Sequence, residues 1–171
     1  GIGIAVDCDG NLYYNNSHSP LLHKITAAGA LISSTPTTDA GSGAPISFGA
    51  IAWDNKRKLL WGGTDSSGIP LKVYQIDPAT GLSTFPFSLV HAGCCGFCDG
   101  IAYDGTDDTV YVSDDVDTQI DHFDATTGAF LGSLVPKDAG GSGLTGISGS
   151  IVGKGDLMYI GRDGLGQIVT V

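Results

Sequence analysis

Five of the sixteen residues from Thr109 to Asp124, TVYVSDDVDTQIDHFD, are aspartates. Carboxylates grouped this way can hold a hard cation, move a proton, or bond the backbone of a turn. Calcium wants about six to eight oxygen ligands, and its best-known loop needs glycine at position six and glutamate at twelve. Neither DCDGN at Asp7 nor DDVDTQID at Asp114 meets that spacing. The chain contains no glutamate, so every acidic side chain is an aspartate. His18, His23, His91 and His122 have no obvious serine partner, and the Gly-x-Ser-x-Gly elbow of hydrolases is absent. Four cysteines remain, Cys8 and the Cys94, Cys95 and Cys98 of HAGCCGFCDG. The Cys95-x-x-Cys98 spacing suits a metal or redox pair, yet no second pair completes a zinc site, so a Cys95–Cys98 disulfide is expected. Cys8 is expected either buried as a thiol or bridged to protein outside these residues. Asn15-Asn16-Ser17 is a glycosylation sequon, expected on an exposed loop.

The elements that would position these groups recur. GIAVD, AIAWD, GIAYD and GSIVG, ending at Asp7, Asp54, Asp104 and Gly153, superimpose at intervals of 47, 50 and 49 residues. Each is followed by a polar turn, then by a run carrying Tyr13, Trp61, Tyr111 or Tyr159. A loop and a third run come next (LLHKIT, KVYQID, QIDHFD, QIVTV). Three units close with a Thr/Gly turn and a fourth run. Alternation with period two and the absence of helical periodicity make every run a strand.

Four short antiparallel strands per unit give a sheet with two faces to cover, and copies about an axis cover one another. This is an all-β chain, a β-propeller. The blades are read as 1–48, 49–98 (including the connection to the third blade), 99–147 and an incomplete 148–171. The last unit stops before its outermost strand, so the four repeats are expected to be part of a larger six- or seven-bladed ring, with a four-bladed ring holding one three-stranded blade, or an edge completed by another subunit, as the alternatives. The aromatic set Tyr13, Trp61, Tyr111 and Tyr159 then serves blade packing.

The repeat sorts the aspartates. Asp7, Asp54 and Asp104 share one position, and Asp77 and Asp124 another, as residues that bond their own turns. Asp99, Asp114, Asp115 and Asp163 fall instead on the rim shared by the second-to-third loops and the blade connections. They are the candidate metal ligands, with Ca2+ the cofactor in view.

VYVSDDVDTQIDHFD resembles the strand, Asp-containing loop and strand of an NHL repeat, and VYQIDPATG is similar to a common propeller turn. The chain as a whole resembles the NHL, SMP-30-like and streptogramin-lyase-like propellers. The resemblance implies either a binding, adhesion or assembly module, or a metal-dependent lactonase- or lyase-like enzyme with its site at the central channel mouth. Asp99, Asp114 and Asp163 would serve the enzyme. With no recognisable catalytic set, the module is the preferred reading, and the absence of glutamate weighs further against the enzyme. A formal charge of -10 with eight Lys and Arg excludes nucleic acid as a natural partner. No run approaches the ~18 apolar residues of a membrane helix. An acidic, lysine-poor, Gly- and Thr-rich β-repeat chain points to an extracellular or cell-surface setting, where disulfides persist. Other protein subunits or a surface glycan are the partners expected there.

Overall fold

The computed structural model describes residues 2–64, 71–89, 98–114, 119–154, 157–162 and 165–170, and every regular element in them is a β-strand. The first blade is β1 (Ile2–Val6), β2 (Leu12–Asn16), β3 (Ser19–Ile25) and β4 (Leu31–Pro36). A two-residue strand β5 (Thr38–Asp39) follows. The second blade holds β6 (Phe48–Asp54), β7 (Leu59–Thr64), β8 (Leu71–Ile76) and β9 (Leu82–Leu89). The third holds β10 (Cys98–Asp104), β11 (Thr109–Asp114), β12 (Ile120–Asp124) and β13 (Phe130–Leu134). The fourth has β14 (Ile147–Lys154), β15 (Leu157–Arg162) and β16 (Gln167–Thr170). Within each blade, neighbours in sequence pair antiparallel, and the last sheet has three strands.

The turns explain why strands break where they do. Asp7 Oδ1 accepts from the backbone N–H of Asp9 and Asn11, at 3.0 and 2.8 Å. Asp54 does the same for Lys56 and Arg57, Asp104 for Thr106, Asp77 for Ala79, and Asp124 for Thr126 and Thr127. All five aspartates of the repeat positions thus satisfy turn donors that no ladder would reach. Asp39 and Asp138 cap the connecting segments in the same way.

Alternation along each strand sends side chains to two opposite faces, and each face meets a neighbouring blade. Ala5, Tyr13 and Leu22 of the first blade pack on Phe48, Ile51, Leu60 and Ile76 of the second. Ala50, Trp61 and Val73 on the second blade's other face pack on Cys98, Ile101, Val110 and Phe123 of the third. Ala102 and Ile120 then meet Ile147 and Ile160 of the fourth. Tyr13 also stacks on Trp53 across the first interface, with centroids 5.7 Å apart. The two end faces have no such neighbour. Ile4 is 62% exposed, although its counterparts Ile51 and Ile101 are buried. Tyr159, counterpart of the buried Tyr13 and Trp61, is 39% exposed.

Blade spacing is set by small residues at one repeat position of the second strand. Asn15, Gly63 and Ser113 lie opposite Gly3, Ala50 and Gly100 on their inner strands. Asn15 reaches Phe48, the first residue of the next blade, and Gly63 makes room for Cys98, which begins the blade after that. A methyl at Gly63 would come within 2.6 Å of Cys98 Cβ and closer still to its sulfur.

The second sheet departs from the expected four strands. Thr38 and Asp39 pair in parallel with Leu82 and Ser83, making β5 a fifth strand on its outer edge. The connection between blades therefore covers the next blade's edge, supplying partners to backbone groups that would otherwise face solvent. Gly81 at φ +73° lets Pro36 approach there, because an added Cβ would collide with the Pro36 carbonyl. Gly63→Ala is expected to destabilise the chain by about 1–3 kcal/mol through overpacking against Cys98. Denaturant unfolding measures it, and a midpoint equal to wild type would refute the proposed close approach.

Candidate functional site

The inner strands β1, β6 and β10 stand side by side and form the wall of a concave trough of about 870 Å3. Its middle is small and apolar, with Ala5, Ala50, Ala52 and Ala102, while Trp53 and Tyr103 add aromatic surface. Its polar groups are carboxylates and neutral side chains: Asp7, Asp99, Asp104, Asn55 and Thr106. Among these described lining residues there is no lysine, arginine or histidine. A trough of this kind favours a neutral or cationic ligand and disfavours an anion.

Of the candidate metal ligands, Asp99 lies in β10, half-buried, in the trough wall. Asp114 ends β11, with Cys98 as its register partner, and its side chain lies outside the described residues. Asp115 and Asp163 also lie outside them, as do His91 and Cys95. Among the described residues no group of three His, Cys or Asp could hold a metal ion. Asp7 and Asp104 reach the trough, where Oδ1 of each already accepts from its own turn.

Two expectations change once side chains are placed. Asn15 is not on an exposed loop: it belongs to β2, is 2% exposed, and its Nδ2 donates to the Phe48 carbonyl. The sequon's spacing hid this, because Asn15 alternates to the face that meets the second blade. Cys8 is exposed on the turn after β1, with Lys58 Nζ 3.3 Å from its sulfur, rather than buried. Cys98 is buried at the start of β10, its Sγ 3.7 Å from the Gly100 carbonyl. His23 and His122 sit in third strands as the repeat implied. His122 stacks on Tyr111 at 4.2 Å, and His23 on Tyr14 at 4.6 Å.

The strongest electrostatic feature is a clasp that sequence reading passed over. Lys56-Arg57-Lys58 forms the turn after β6, and Arg57 spans two blades. Its NH1 donates to Asp54 Oδ2 at 2.8 Å and to Asp108 Oδ1 at 2.7 Å. Its NH2 donates to Asp108 Oδ2 at 2.9 Å and to Thr126 Oγ1 at 2.9 Å. Asp108 also accepts from Lys56 Nζ at 2.6 Å and from the Tyr103 hydroxyl at 2.9 Å. Such a two-pronged guanidinium–carboxylate pair fixes both partners. Asp54 is fully buried and also accepts from Trp61 Nε1 at 3.0 Å. The Arg57 hydrogen bonds hold the Asp108 carboxyl well below the usual carboxylate range. Burial first, then the bond to Asp108, pushes the Tyr103 phenol up. On the outer edge, burial and then the bond to Asp39 push Tyr74 up to about 12. The one available sequence signal for the clasp was three adjacent cations in an acidic chain.

No family model matches the sequence, and no curated protein matches it. Solved structures do. A chain of the nidogen/laminin complex superimposes with a TM-score of 0.68 at 14% identity, covering 99% of this chain and 58% of that one. Glutaminyl cyclase from Myxococcus xanthus gives 0.68 at 15%, covering 99% and 64%. Virginiamycin B lyase from Staphylococcus aureus gives 0.57 at 13%, covering 99% and 54%. The chain therefore spans 54% to 64% of the length of these three. Identities this low establish the fold, which is that of a β-propeller, with its open sheets fitting part of a larger ring.

The clasp yields a pH dependence. Because the folded-state pKa of Asp108 is depressed, its contribution is complete above the ordinary value of 3.8 and is lost as pH falls below it. Asp108→Asn is expected to lose about 1.5–3 kcal/mol at neutral pH, the worth of hydrogen bonds to a charged group. That gap should close on acidification through and below pH 3.8. Unfolding curves of the two proteins across pH measure it, and a gap independent of pH would contradict the clasp.

Proposed function

We propose that this chain is a binding and assembly module, a β-propeller of secreted or cell-surface setting that engages other protein subunits or a surface glycan. One observation carries the reading. Of the described carboxylates, Asp7 and Asp104 at the trough bond their own turns, and Asp54 and Asp108 form the inter-blade clasp. What remains at the trough is a broad, mildly acidic, largely apolar surface. Such a surface suits recognition rather than bond making, since reaction chemistry needs convergent groups at a defined atom. Propeller neighbours of both kinds exist: one belongs to the nidogen/laminin complex, while a lyase and a glutaminyl cyclase are enzymes.

A second reading has Asp99 behind it. A carboxylate in the trough wall could help hold a calcium or other divalent ion that polarises a substrate oxygen, as in a lactonase- or lyase-like enzyme. Chemistry and binding separate in one set of measurements. The wild-type chain and Asp99→Ala are assayed for lactone and ester turnover and for elimination, with and without divalent ions, alongside capture on glycan and protein arrays. The module reading expects saturable capture and no turnover under any metal condition. A chelator-sensitive activity that Asp99→Ala abolishes would overturn it.

A further inference from the structure

The turn after β6 makes a contact that the Arg57 clasp does not use. Lys58 and Asp108 hold the same repeat position, four residues beyond Asp54 and Asp104, and both have left-handed backbone, with φ of 59° and 62°. Residues other than glycine adopt that conformation only at a cost. Here each of the two reaches back to the turn of the preceding blade. Asp108 meets Lys56 and Arg57. Lys58 meets Cys8, in the turn between β1 and β2, where its Nζ donates to the thiol Sγ at 3.3 Å. Its two neighbours are paired with carboxylates, Lys56 with Asp108 and Arg57 with Asp54 and Asp108. Among the described residues Lys58 has no carboxylate partner, although the chain contains 18 aspartates. Both partners are accessible: Cys8 is an exposed free thiol that borders the trough, and Lys58 is exposed beside it.

We propose that Cys8 and Lys58 form a peroxide-responsive pair, which hydrogen peroxide converts into a covalent bridge between the first and second blades. The Cys8 thiolate attacks the peroxide. An S–O bond forms, the O–O bond breaks, and hydroxide leaves, giving a sulfenic acid. The neutral Lys58 amine then attacks that sulfur. An S–N bond forms, the S–O bond breaks, and water leaves. Sulfur loses two electrons and the peroxide gains them. In sum, one thiol, one ammonium and one peroxide give one sulfenamide, two waters and one proton. A thiol reductant reverses the bridge by attacking sulfur, which releases the amine and leaves a disulfide for a second thiol to cleave. The placement of the amine decides the outcome, because a sulfenic acid with no nucleophile at hand is open to further oxidation. The bridge joins two blades that otherwise meet through the packing of Tyr13, Leu22 and Trp53 on their shared interface, and it is independent of what the trough binds.

The test uses the 171-residue chain, reduced, exposed to hydrogen peroxide and then quenched with catalase. Tryptic digestion and tandem mass spectrometry are expected to find a linked peptide pair joining Cys8 to Lys58, uncut after Lys58 and lighter by two hydrogens than its separate parts. Treatment with dithiothreitol should remove it. In Lys58→Gln the linked pair is expected to be absent and a dimedone probe to label Cys8 more heavily than in the wild type. Oxidation should also raise the wild-type melting temperature, because the bridge closes the chain between two distant residues. Comparison with equally oxidised Lys58→Gln removes any contribution from the other three cysteines. Both side chains are exposed, so Lys58→Gln and Cys8→Ser are expected to fold, and circular dichroism checks that. The proposal fails if oxidised wild-type Cys8 is recovered only as a disulfide or an oxyacid. It fails equally if the linkage falls on another lysine, or if Lys58→Gln shows the same rise in melting temperature.

Discussion

A four-stranded antiparallel sheet whose two faces are both apolar cannot stand alone in water. Each blade of this chain has such faces, and the fold solves the problem by lending every blade its neighbour's surface. Phe48, Trp61, Ile120 and Ile160 are buried because they belong to interfaces between sheets, not to the interior of any one sheet. Full burial of side chains of this size contributes about 1.5–3 kcal/mol each, so the stack of blades is the main source of stability. The same rule explains why Ile4 and Ile168, at the two ends, stay open to solvent while their counterparts do not.

Packing alone sets distance without fixing registration, and polar groups supply the latter. Asp7 and Asp54 each use one oxygen to close their turn and the other to tie in a later strand, Asp7 through Lys24 at 3.1 Å and Asp54 through Trp61. Arg57 then carries the tie across to Asp108 in the next blade. Buried charges are costly unless paired and hydrogen-bonded, and here each is both. Asp7, which lines the trough, therefore has both of its oxygens engaged.

The small residues of the inner strands have a further effect. Alanines and glycines along β1, β6 and β10 let the blades approach closely at the axis and leave the trough wall smooth. Recognition there would rest on shape, on the aromatic surface of Trp53 and Tyr103, and on a mild negative potential. The outer edges behave differently. Where β5 covers β9 the edge is satisfied, while the outer strand β13 exposes Phe130, Leu131 and Leu134.

The repeat at Asp7, Asp54 and Asp104, the alternation within each run and the incomplete last unit were all legible without coordinates. They are local: a strand's period and a turn's aspartate are written in adjacent residues, and four copies average out the noise. That Asp77 and Asp124 bond their own turns followed from the same logic. What neighbouring residues do not encode is which face of a strand meets which blade. Asn15 reads as an exposed sequon until β2 is turned toward Phe48, and Cys8 reads as a buried thiol or one bridged elsewhere until its turn is placed at the surface. The β5–β9 pairing and the Arg57 bridge join residues 44 and 51 positions apart, as in Thr38 with Leu82 and Arg57 with Asp108. Distances of that kind are fixed by the angle and spacing at which whole sheets stack, so they belong to the tertiary structure alone.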